Sequence, residues 1–67
     1  MSQELWSVKN TADNTWLTVN NSNPLMCGFG NEGDAIILSE ADANQKAADL
    51  NAAYQVDNFI GGHPRPH

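Results

Sequence analysis

Apolar and polar residues alternate from Leu5 to Val8, placing Trp6 and Val8 on one side of an extended chain and Leu5 and Ser7 on the other; the same two-residue period returns over Trp16 to Val19. Between these runs, Asn10-Thr11-Ala12-Asp13-Asn14 has the composition of a hairpin loop, in which Asp13 or Asn14 can take the left-handed conformation that closes a turn. Glu4 to Asn20 therefore predicts a β-hairpin. Asn20 to Pro24 breaks the pattern, and Leu25 to Gly33 mixes apolar side chains with three glycines in no regular period. That stretch predicts a long loop, with a short strand around Leu25 to Cys27 as its one regular piece. Asp34 to Leu38 is apolar on both sides, which predicts a third strand in the middle of the sheet.

The period then changes. Ser39 is a good helix N-cap, Asp42 sits where a capping-box acid reaches back, and Glu40 and Asp42 both suit the positive end of a helix dipole. Ala43, Ala47, Leu50 and Tyr54 follow with helical spacing and form an apolar stripe, while Glu40, Asn44, Lys46 and Asp49 face elsewhere. The predicted helix starts after Ser39 and ends either at Asn51, a residue that tolerates the left-handed C-terminal position, or at Tyr54. Tyr54 to Ile60 alternates again and predicts a last strand beside the hairpin. Gly61 to His67, rich in glycine, proline and histidine, predicts a flexible or polyproline-like tail outside the sheet. The order of elements gives one α+β domain over residues 1–60: a small antiparallel sheet of three to four strands with one helix packed on one face.

Length limits what such a domain can hold. A chain of 67 residues buries only about 60% of the surface its unfolded form exposes. Stability is then marginal, and a deep water-excluding site has little room. Nine asparagines supply much of the polarity and point to turns. Eight acids against three bases give a formal charge of -5, which repels phosphate backbones and anionic membranes, so direct nucleic-acid or membrane binding is not expected. Because the acids are spread along the chain, an ordinary solvated surface explains them better than an acidic mimic of nucleic acid occupying a basic surface, which is kept as an alternative. Cys27 is the only cysteine, and no basic stretch leads into an apolar run at the N-terminus. A reduced, cytoplasmic protein is therefore expected.

Candidate chemistry is sparse. Gly28, Gly30 and Gly33 spell the G-x-G-x-x-G of dinucleotide-binding loops, but an apolar strand pattern follows where that motif requires a helix, and Glu32 and Asp34 would repel phosphate. Those glycines are better read as a flexible loop. Cys27 has no neighbouring base to activate it, and His63 and His67 lack companion ligands; neither a catalytic residue nor a metal or cofactor site is expected. What remains is apolar surface. A sheet with one helix leaves a face uncovered, so whichever of Leu5, Trp6, Trp16, Leu17 and Phe59 points away from the helix should be exposed. Trp6, Trp16, Leu25, Met26 and Phe29 are accordingly the candidate partner-binding residues.

A hairpin, a glycine-bearing loop, a strand running into the Ser39-Glu40-Ala41-Asp42-Ala43 helix with Leu50-Asn51 near its end, and a short last strand resemble the order of elements in small ββ(β)αβ proteins of bacteriophages and prophages. The resemblance spans Glu4 to Ile60 as a pattern and carries over no site residues. It implies a stand-alone, non-enzymatic protein of the host cytoplasm that binds and inhibits or masks a larger host or viral protein. A homo-oligomeric module, such as a homodimer paired through an exposed sheet edge or face, is the alternative from the structural class. An enzyme would require a cofactor or a site shared between copies.

Overall fold

A computed structural model describes residues 5–65. Four strands form one antiparallel sheet in the order β3-β2-β1-β4, where β1 is Ser7–Asn10, β2 is Thr15–Val19, β3 is Gly28–Gly30 and β4 is Phe59–Gly62. One helix, α1 (Glu40–Tyr54), packs on it. This is the α+β fold expected from the alternation of periods.

The hairpin is built by its asparagines and an aspartate. Asn10 Oδ1 accepts the N–H of Ala12, Asp13 Oδ1 accepts the Thr15 N–H and hydroxyl, and Asn14 takes the left-handed conformation at φ 59°. These are the local side-chain bonds that make Asn and Asp turn residues. Register places Lys9 opposite Trp16, and therefore Val8 opposite Leu17 on the other face. Val8 and Leu17, both fully buried, join Phe59 beneath Ala47 and Leu50 of the helix, and Cys27, Phe29 and Leu38 pack around that core.

Helix α1 begins where its cap predicts, with Ser39 Oγ accepting the Asp42 N–H at 3.1 Å. It runs to Tyr54, which decides between the two expected ends. Gln55 follows in the left-handed conformation, and the Val56 N–H donates to Asn51 O at 3.0 Å, a Schellman closure without glycine. Ala43, Ala47 and Leu50 of the stripe are buried, and the two alanines let the helix lie close to the sheet; Tyr54 is exposed.

Other expectations are corrected. Asp34 to Leu38 is not a central strand. Ile36 N–H donates to Leu17 O in the middle of β2, and Leu38 N–H donates to Trp6 O just before β1, where the two residues form an isolated bridge, so the segment ties to the sheet without joining its ladder. Ile37 is 50% exposed, so the apolar run is not buried on both sides. Leu25 to Cys27 is not a strand either. Pro24–Met26 forms a single 3-10 turn, here the proline turn, and the strand lies just after it, where Gly28 and Gly30 flank Phe29. The third glycine of the motif, Gly33, falls in a second such turn, the acidic turn Glu32–Asp34. β4 starts at Phe59, later than Tyr54, and runs through Gly61 and Gly62, which pair with Val8 and Ser7 and so belong to the sheet. A Cβ on Gly61 would strike the Asn44 amide on the helix side, and one on Gly62 would stand 3.3 Å from the Trp16 ring on the other. Side chains crowd both faces of the strand at this point, which explains the glycine pair.

Nor is the far face of the sheet bare. Trp16 points away from α1, beside Gly62 and under the Lys9 ammonium, yet it is only 6% exposed. The acidic turn packs against β2, Pro64 is buried, and the Arg65 N–H donates to Glu32 Oε2 at 3.0 Å, tying the C-terminal segment to that turn. Of the expected tail, positions 66 and 67 lie outside the described residues.

Candidate functional site

Among the described residues two surfaces combine exposed apolar side chains with a fixed local geometry. The first is the proline turn. Asn21 Oδ1 accepts the Asn23 N–H, Asn23 Oδ1 caps the turn by accepting the Leu25 N–H at 3.1 Å, and Pro24 presets its first residue. Lys46 Nζ donates to Asn21 O at 2.8 Å and fastens the whole loop to the helix. On this braced turn Leu25 and Met26 stand 57% and 63% exposed. Val19, at the end of β2 against Gly28, is exposed on the same stretch of the sheet.

The second is a cleft of about 370 Å³ at the end of the sheet under the hairpin loop. Phe29 of β3, Tyr54 at the end of α1 and Phe59 at the start of β4 supply its aromatic lining, with Val56 beside them. Ring centroids lie 5.3 Å apart for Phe29–Phe59 and 5.7 Å for Tyr54–Phe59, both tilted, within the range for attractive aromatic pairs. Asn10, Asp13 and Asn58 line the polar side. The two amides are committed to structure: Asn58 Nδ2 donates to Asn10 Oδ1, and Asn58 O accepts both the N–H and the hydroxyl of Thr11. Asn51 holds the floor in place, donating to Phe59 O and accepting from Phe59 N, each at 2.9 Å. That amide mimics a neighbouring strand and occupies the outward edge of β4.

The five predicted contact residues do not form one surface. Leu25 and Met26 share the proline turn, Phe29 lines the cleft, and Trp16 is buried on the far face. Trp6 is half-buried against His63, with ring centroids 4.1 Å apart, and His63 Nδ1 lies 2.6 Å from Leu5 O. Sequence reasoning missed Tyr54, Val56 and Asp13 as neighbours. Tyr54 reads as one more member of the helical stripe and Asp13 as a turn residue, and only the Schellman reversal brings them together. Cys27 is half-buried, its Sγ against Asn21 O, and packs on the core. Among the described residues no group of three or more His, Cys, Asp or Glu side chains is placed to hold a metal, and no helix is long and apolar enough to cross a membrane.

Compared with family models, with curated proteins and with solved structures, the chain finds no match in any of the three.

Proposed function

We propose that this chain is a non-enzymatic protein-binding module that masks a site on a larger partner, and that Leu25 and Met26 on the proline turn are its central contacts. One observation carries the reading: two large apolar side chains are held out to solvent by a turn fixed through an asparagine cap, a proline and a lysine clamp. Exposed apolar residues on a braced loop lose little entropy on binding, which is what interface anchors require. The small phage-encoded proteins that the order of elements resembles act in the same way, by covering a site on a host or viral protein.

Self-pairing through the sheet edges has less in its favour. The outer edge of β3 is three residues long, and the outward groups of Phe59 in β4 are taken by Asn51; short or occupied edges resist pairing.

The test compares the tagged wild type with a Leu25→Ser/Met26→Ser variant in affinity purification from the source cells, with circular dichroism to confirm that both are folded. A discrete partner recovered with the wild type and lost with the variant supports the reading. Equal recovery with both, or no partner above background, overturns it.

A further inference from the structure

We infer that the cleft between Tyr54, Phe29 and the hairpin loop binds a small organic ammonium ion. Its volume of about 370 Å³ falls within the roughly 300–1,000 Å³ usual for small-molecule sites. The lining combines three aromatic rings with one carboxylate, and no basic residue lines it. Aromatic faces carry negative quadrupole density and attract cations, most strongly alkylated ammonium groups with weakly held water. Asp13 adds a full charge. Its Oδ1 is engaged by Thr15, whereas Oδ2 has no hydrogen-bond partner among the described residues. Lys9, the nearest cation in sequence, lies over Trp16 on the opposite face and does not neutralise it.

The alternatives fit less well. A neutral apolar ligand would fill the aromatic part but leave the exposed Asp13 carboxylate at its rim unused. An anion would meet that carboxylate and a chain of net charge -5. An amphipathic cation satisfies both halves at once, its apolar body against Phe29, Phe59 and Val56 and its charge between Tyr54 and Asp13. The cleft and the proline turn are separate surfaces, so the inference does not depend on the partner-binding reading.

Benzyltrimethylammonium chloride is a suitable probe, with benzyl alcohol as its neutral counterpart, each titrated into the full chain and followed by amide chemical shifts. Saturable shifts at Asp13, Tyr54 and Asn58, and none at Leu25 and Met26, are expected with the cation. Asp13→Asn keeps the acceptor that Thr15 uses while removing the charge, and should weaken binding about 5-fold, the upper range for an exposed ion pair. Tyr54→Leu keeps apolar bulk but loses the ring and should weaken it about 3-fold. The Leu25→Ser/Met26→Ser variant should bind the cation as well as the wild type does. Equal affinity for benzyl alcohol, no loss in Asp13→Asn, or no saturable shift at millimolar cation would each overturn the inference.

Discussion

Among the described residues, asparagine side chains take part in more hydrogen bonds than those of any other residue type. Asn10 and Asn14 shape the hairpin, Asn23 caps the proline turn, Asn58 binds the hairpin loop to β4, and the Asn51 amide doubles as a strand neighbour for Phe59. Replacing Asn51 by Ala removes two hydrogen bonds and leaves the Phe59 N–H and C=O without them, so it should cost about 2 kcal/mol in denaturant melts, at roughly 1 kcal/mol per bond. Two positions run the other way. Gln55 holds a left-handed conformation at φ 57°, which costs a side-chain-bearing residue about 1 kcal/mol or more. Gln55→Gly should therefore raise the melting temperature by about 4–8 °C for a domain of this size. Ser7 is fully buried, and its hydroxyl finds no partner among the described residues. Ser7→Ala should stabilise the fold by about 1 kcal/mol, since a buried hydroxyl without a partner costs about 1–3 kcal/mol; a loss of stability on that change would show that the hydroxyl is bonded after all.

At the scale of elements, the hairpin and the start of the helix were legible because local chemistry decides them: alternation plus an Asn/Asp loop in one case, a Ser cap and acidic first turn in the other. Ser39→Ala should accordingly cost about 1 kcal/mol. Ala43 is fully buried where α1 meets the sheet, so Ala43→Leu should cost about 1–3 kcal/mol through overpacking, again read from denaturant melts. Elements decided by tertiary contacts are not legible in the local pattern. Gly28–Gly30 has little strand propensity of its own and is extended because β2 offers it a ladder. Gly61 and Gly62 look like a linker, yet crowding by Asn44 on one face and Trp16 on the other selects glycine there. Ala35 to Leu38 has the composition of a buried strand but is tied to the sheet only through Leu17 and Trp6 and leaves Ile37 in solvent. No local pattern distinguishes that segment from a strand.

For the whole molecule, the expected division into a covered and a bare sheet face gives way to a sheet covered by α1 on one face and, on the other, by packing that buries Trp16 while leaving Ile60 half-exposed. Exposed apolar surface is thereby found not at Trp16 but at the rim, with Leu25 and Met26 at one place and Tyr54 and Val56 beside the cleft at another. The Leu25→Ser/Met26→Ser variant should change unfolding free energy by less than about 0.5 kcal/mol, as exposed substitutions usually do, which separates a binding role from a structural one. The most direct measurement of the central claim is photo-crosslinking in the source cells, from a benzoylphenylalanine placed at position 26 and, as control, at the exposed helix position 48. A single crosslinked product from position 26, heavier than twice the chain's own 7.3 kDa and absent from position 48, is the predicted result. A product at twice the chain mass, or identical products from both positions, would contradict it.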